Sequence, residues 1–424
     1  MTKLKSSQII KSFEKGPVRR SLFSNGAVSL FHQFKGMESA CVNLYFLAGS
    51  VFEKKGQHGI AHVIEHMLFK EERAGSLVQE MESKGAQINA YTYKEYVCFE
   101  LDCAADSLDE FLPKFLSLFL NPVFNSKDLA LEKKVILQEL REDKDDHETE
   151  GLEYLYKKNF NEALGHPIGG AIGNVKSFRV KDLETFYKKF YRPERMILSV
   201  VGGKKFDSLE KIYMDEFAKA GQKERQQIKP FRLEKKERFS KLKHASAKLK
   251  RPMESSIVFY AFDGASIFHP DYYNYLALDE YLLGGMSSKL FMELREKNAY
   301  VYGLGSAINT YAACGSYIMI FHTLKKNVGK LRDKVDEALE ELAQKGPPAK
   351  DIEAIKKRLA QAWSLGFDDM LERNEYLAEM EMLNFSDFSL AGQIQRLNHV
   401  SAESVQALVK KIFKSKYSLL IMNG

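Results

Sequence analysis

Along the first half of the chain, apolar residues recur at two spacings, and the switches between them mark out the elements. Leu22-Phe23-Ser24-Asn25-Gly26-Ala27-Val28-Ser29-Leu30 sets apolar positions around an Asn-Gly pair, which predicts a hairpin closed by a tight turn. Ala40 to Ala48 alternates in part and is rich in β-branched and aromatic residues, which predicts a second strand. The spacing becomes helical over Gly59 to Phe69 and again over Leu77 to Met81. Gly85 to Thr92 and Tyr96 to Leu101 predict a strand pair. Phe111 to about Asn161 is mostly helical by pattern, Gly165 to Gly170 is a loop, Val180 to Lys189 is a helix, and Met196 to Gly202 is a buried strand.

The pattern then repeats. Met37-Glu38-Ser39-Ala40-Cys41-Val42-Asn43-Leu44-Tyr45-Phe46 is echoed by Met253-Glu254-Ser255-Ser256-Ile257-Val258-Phe259-Tyr260-Ala261-Phe262. The helix-strand segment 180–202 is echoed by 402–424, with Lys188-Lys189-Phe190-Tyr191 matching Lys410-Lys411-Ile412-Phe413. Offsets of 216 and 222 leave only a few residues of net insertion, so two similar mixed domains stand in tandem. We divide the chain at 1–222, a basic linker 223–250, and 251–424. A length of 424 residues agrees with more than one core.

Composition changes this picture little. Hydrophobic residues make up 45% and charged residues 28%, ordinary for a globular protein. No apolar run of about eighteen residues occurs, so no membrane span is expected. Between Lys223 and Arg251, twelve basic residues face three acidic ones; this +9 exceeds the whole chain's +6, so the net charge is a local property. Only Phe231 and Phe239 interleave it, which favours a solvated linker over a nucleic-acid patch. The opening residues lack the apolar core of a secretory signal and are basic, with a mitochondrial presequence as the lesser alternative. The scattered Cys41, Cys98, Cys103 and Cys314 suit a reducing compartment, and we expect a bacterial cytoplasmic location, with the mitochondrial matrix as the minor alternative.

The chemistry lies in His62-Val63-Ile64-Glu65-His66. On a helix, His62 and His66 project from one face about 40° apart, the arrangement that offers two nitrogens to one metal ion. Glu65 lies about 60° from His62, within reach of a water on that ion. The order His-x-x-Glu-His is the inverted zinc-peptidase signature. A hydrolytic site needs a third protein ligand. His58 continues the stripe, but about 12 Å of helix would separate it from His66. Glu132 and Glu139 lie two turns apart on one face of a downstream helix; one would coordinate and the other would bond an imidazole, and spacing leaves open which does which. In the second half, the corresponding helix Asp279-Glu280-Tyr281-Leu282-Leu283-Gly284-Gly285 lacks the motif. Leu283 to Leu290 has neither of the glycine spacings of a phosphate loop.

His62-x-x-Glu65-His66 followed by Glu132-x6-Glu139 resembles the pitrilysin (M16) family of zinc metallopeptidases, in its subgroup of half-length chains. The match runs over nearly the whole chain. It implies an α+β fold of the M16/LuxS-like metallohydrolase type: two tandem homologous half-domains, each a mostly antiparallel sheet packed against helices. The resemblance makes Glu139 the third ligand of one Zn2+ per chain, Glu132 its support and Glu65 the catalytic base. It also implies that the strand carrying Ile88-Asn89-Ala90-Tyr91-Thr92 accepts substrate as an added strand, with Asn89 among the substrate-binding residues. Arg295 and Tyr302, in Leu294-Arg295-Glu296-Lys297…Tyr302, would bind the substrate main chain. Asn298-Ala299-Tyr300 stands where the family has Arg-Gly-Leu, and Glu71-Glu72 where it has Gly-Thr; both lie outside the ligands and bear on specificity.

The expected activity is therefore a zinc-dependent endopeptidase that hydrolyses peptides or unfolded segments inside a chamber. Because one short chain carries both residue sets, a homodimer is expected, with a heterodimer as the alternative; neither nucleic acid nor membrane is an expected partner. Two other readings are a peptidase that removes leaders or presequences and a noncatalytic subunit of a heterodimeric assembly.

Overall fold

Alternation in the first half puts seven strands into one sheet. They are β1 (Leu4–Ile10), β2 (Val18–Phe23), β3 (Val28–Gln33), β4 (Ser39–Phe46), β5 (Gln87–Thr92), β6 (Val97–Ala104) and β7 (Met196–Gly202), in the order β1-β2-β3-β7-β4-β6-β5. The computed structural model describes residues 3–10, 16–34, 36–120, 122–204, 206–219, 229–233, 242–385, 387, 389–414 and 417–424. Of the basic linker, residues 223–228 and 234–241 lie outside the described residues. Only β3 and β7 run parallel; every other neighbouring pair is antiparallel. The expected hairpin is β2–β3, and Gly26 takes the positive φ of 89° at its turn. β1 was not foreseen: its residues are mostly exposed, so no buried stripe marks it.

The second half repeats the plan with five strands: β8 (Ala247–Lys250), β9 (Ser256–Asp263), β10 (Val301–Thr310), β11 (Gly315–Thr323) and β12 (Ser418–Asn423). Their order is β10-β11-β9-β12-β8, with β12–β8 the parallel pair. Strand for strand, β3, β4, β5, β6 and β7 have their counterparts in β8, β9, β10, β11 and β12. Each sheet is mostly antiparallel and carries helices, the α+β fold expected.

The sequential halves do not coincide with the compact units. One unit comprises Met1–Arg141, His166–Leu233 and Ser364–Leu390; the other comprises Glu142–Gly165, Glu234–Trp363 and Ala391–Gly424. Each half thus lends a helical segment to the other unit. Helix Met370–Met382 lays Leu377, Ala378, Met380 and Met382 on Val18, Leu30, Tyr45, Ile197 and Val201 of the first sheet. There Glu381 receives both Arg20 Nε, at 2.7 Å, and Arg20 Nη2, at 2.8 Å. The bidentate geometry suits a carboxylate that is only 3% exposed. In the second unit, a helix over His147–Asn159 packs Leu152 and Leu155 on Ile257, Phe259 and Met422. A Cβ at Gly151 would lie 2.5 Å from the Phe259 ring, so the residue must be glycine for this helix to lie so close.

On its other face the first sheet supports α1 (Ile60–Met67), α2 (Glu72–Ser83), α3 (Leu108–Leu120) and α4 (Ser126–Asp145), joined in the same core by helices Val180–Phe190 and Phe206–Lys219. Phe46, Phe99, Phe111, Phe115 and Phe119 form the centre of this core, each contributing roughly 1.5–3 kcal/mol by leaving water. Among the described residues no helix is long and apolar enough to cross a membrane.

Candidate metal centre

α1 is buried nearly all round. Ile60, Ala61, Val63, Ile64, Met67 and Leu68 are at most 1% exposed, which fixes the helix's rotation and leaves His62, Glu65 and His66 facing α4. α4 is anchored by Leu129, Ile136 and Leu140, and that stripe brings Glu132 and Glu139 to α1.

His62 Nε2 and His66 Nε2 lie 3.3 Å apart. Glu139 Oε2 lies 3.6 Å from His66 Nε2 and 4.0 Å from His62 Nε2. A tetrahedral ion with bonds of about 2.1 Å separates its ligand atoms by about 3.4 Å, so the triangle matches a shared zinc. These three residues form the one such group found among the described residues, their ligand atoms all within 4.8 Å of one another. Glu132 bonds the far nitrogen of His66: Oε2 lies 3.2 Å from Nδ1, while Oε1 holds Lys70 Nζ at 3.1 Å. Accepting the Nδ1 proton leaves the Nε2 lone pair aimed at the centre.

Burial, and next the His66 charge, push the His62 pKa down to about 4, so its imidazole is neutral and able to ligate at neutral pH. Glu65 is 9% exposed. Burial raises its pKa, Thr92 opposes this by donating from Oγ1 to Glu65 Oε2 at 2.7 Å, and Glu139 adds a smaller upward push. A carboxylate held in that way is suited to taking up and returning a proton.

Other residues fall around or apart from this cluster. β5 is an edge strand, and its alternation separates two faces: Ile88 and Ala90 pack on the core, as Thr92 turns to Glu65, whereas Asn89 donates to Glu100 at 3.2 Å. Arg295 and Tyr302 belong to the second compact unit and lie together there: the Arg295 guanidinium donates to the Tyr302 carbonyl. Arg295 sits on a π-helical stretch, Met292–Lys297, and Tyr302 is 53% exposed where β10 shifts register against β11. Sequence reasoning missed Thr92 and Lys70. Strand alternation offered a signal for Thr92, since it is the polar member of a core-facing set at the end of β5. Lys70 follows the helix with nothing to distinguish it.

Comparison with known proteins adds to this geometry. The model of the insulinase family (peptidase family M16) matches residues 32–171, and that of the peptidase M16 inactive domain matches residues 177–359. The Bacillus subtilis (strain 168) uncharacterized zinc protease YmxG is 24% identical over 412 residues, covering 96% of this chain and 98% of its own. A Rickettsia felis uncharacterized zinc protease is 26% identical over 333 residues, 75% of this chain and 79% of its own. Among solved structures, a protease from Helicobacter pylori aligns over 100% of both chains with a TM-score of 0.83 and 17% identity. A peptidase M16 inactive domain from Pseudomonas fluorescens aligns over 99% of this chain and 98% of its own, with a TM-score of 0.82 and 20% identity. These last two likenesses speak to the fold alone.

Proposed function

Because this chain belongs to the M16 peptidase family, in which its relatives are named zinc proteases, we propose that it is a zinc-dependent endopeptidase acting on peptides and unfolded segments. The observation that carries the reading is the meeting of His62, His66 and Glu139, from two helices far apart in sequence, at separations that fit one ion. When bound, zinc supplies Lewis acidity, polarising a carbonyl and lowering the pKa of water toward about 7. His62, His66 and Glu139 hold the ion, with Glu132 orienting His66. Glu65 takes the proton from the attacking water and returns it to the departing amine nitrogen. Substrate adds to the outer edge of β5 through main-chain hydrogen bonds, a mode that makes little demand on sequence. Asn89 contacts the added strand, and the Arg295 guanidinium and Tyr302 phenol donate to its carbonyls.

In the same proposal two copies of the chain enclose a chamber that excludes folded proteins, and the protein works in a bacterial cytoplasm with its cysteines as thiols. Retention of the complete ligand set favours catalysis over a noncatalytic subunit. Incubating the pure protein with a peptide library, with and without a chelator, tests the reading by mass spectrometry. Chelator-sensitive internal cleavage of many unrelated peptides is the expected result. Cleavage confined to one leader sequence would replace it with a processing role, and no cleavage by zinc-loaded protein would refute it.

A further inference from the structure

The carboxylate of Glu53 takes no part in the chemistry above, yet its bonds end on the helix that performs it. α1 is 8 residues long and begins after Gly59, whose φ is 99° and which has no side chain to cap the helix. Glu53 supplies the missing cap from outside. Its Oε2 accepts the N–H of Gly59 at 2.8 Å, and its Oε1 accepts the N–H of Ala61 at 2.9 Å. The next residue is His62. A carboxylate at this end of a helix also opposes the positive pole of the helix dipole.

A third bond ties this cap to a distant segment. Glu53 Oε2 lies 2.9 Å from His166 Nε2; the Glu53 side chain is 0% exposed and that of His166 is 6%. The His166 ring stacks on His58 with centroids 4.0 Å apart, and Lys94 Nζ donates to the His166 carbonyl. Lys94 comes two residues after Thr92, the donor to Glu65. The loop holding His166 is pressed against the start of α1: a Cβ on Gly170 would lie 2.1 Å from the His58 carbonyl oxygen, and one on Gly59 2.5 Å from that of Gly169. The start of α1 and the loop 165–170 therefore meet at one buried carboxylate, and the β5–β6 turn joins them through the Lys94 bond to His166.

We propose that Glu53 and His166 are positioning residues, a buried pair that locks the first turn of α1 and thereby sets where His62, Glu65 and His66 stand relative to α4 and β5. This rests on the zinc-peptidase reading for what the helix does, but metal binding alone can test it. The full-length protein and its Glu53→Gln and His166→Gln variants are compared, with Lys54→Ala at the neighbouring exposed site as a control. Zinc affinity is measured by chelator competition, ligand geometry by the visible spectrum of the cobalt-loaded protein, and folding by circular dichroism and thermal melting.

The expected result is a folded Glu53→Gln protein with zinc bound at least about tenfold more weakly and altered cobalt bands. His166→Gln, whose amide still offers a donor to Glu53, should move both readouts less and in the same direction. Should Glu53→Gln fail to fold, His166→Gln decides. A folded variant with wild-type zinc affinity and cobalt spectrum would overturn the proposal, even with a lowered melting point. So would the unfolding of both variants, because the pair would then hold the unit together rather than aim the helix. If wild-type protein binds zinc but cleaves nothing, the peptidase reading fails while these metal measurements still judge the pair.

Discussion

α1 and helix Tyr272–Leu282 occupy matching places: each follows a central strand, β4 or β9, and precedes an edge hairpin, β5–β6 or β10–β11. What their polar residues meet is different. In α1, two imidazoles face two glutamates: Glu139 approaches the Nε2 atoms of both rings and Glu132 bonds Nδ1 of His66. In the second helix, Asp279 accepts the Tyr317 hydroxyl at 3.1 Å and Glu280 receives Arg358, so both carboxylates end in ordinary pairs. That helix also stops at Leu282, short of the Gly285 to which the sequence pattern carried it, and Gly285 takes a φ of 89°. One scaffold thus serves both halves, and a handful of side chains decides which half can hold a metal.

The most damaging test of that contrast removes a ligand. His66→Ala leaves two of the three proposed protein ligands and also strips Glu132 of its imidazole partner, leaving it Lys70. Zinc content of the purified protein should fall to background and cleavage by about a thousandfold or more. Stoichiometric zinc in this variant would show that the metal sits elsewhere. Next comes Glu65→Gln, which keeps the ligands and removes the proton carrier. Zinc content should stay at wild type while turnover drops by roughly 100- to 10,000-fold. Wild-type turnover would strip Glu65 of its role.

A smaller effect asks whether the second unit, whose described residues hold no such ligand cluster, contributes to function. Arg295→Ala should lower kcat/KM by about tenfold with zinc content unchanged, as expected for the loss of donors to a substrate carbonyl. Unaltered kinetics would confine function to the first unit.

Much of this was legible in the sequence because the signals were local. His62, Glu65 and His66 sit on one helix, and Glu132 and Glu139 on another, so helical periodicity alone aligned each set. That the two sets meet followed from resemblance, since no spacing encodes the distance between α1 and α4. The exchange of helices 147–159 and 370–382 between compact units was not legible. An amphipathic helix announces that it has a buried face but not whose sheet will cover it. The Glu53–His166 pair was hidden for a related reason: the two residues stand 113 positions apart and belong to no motif.

The finest comparison lies within the site and concerns Thr92. Its hydroxyl is the donor that holds down the pKa of Glu65 against burial and the Glu139 charge. Thr92→Val keeps the shape of the side chain but removes the donor, so the pKa of Glu65 should rise further. As a base, Glu65 works in its ionised form, and activity falls when pH drops through its pKa. The acidic limb of the kcat/KM profile should therefore move to higher pH, with a loss of about tenfold at mildly acidic pH and little change on the alkaline side. Thr92→Ser, which restores the hydroxyl, should restore the profile. A uniform drop at every pH would mean that Thr92 shapes the strand edge instead of tuning the base, and zinc content measured alongside would exclude a disturbed metal site as the cause.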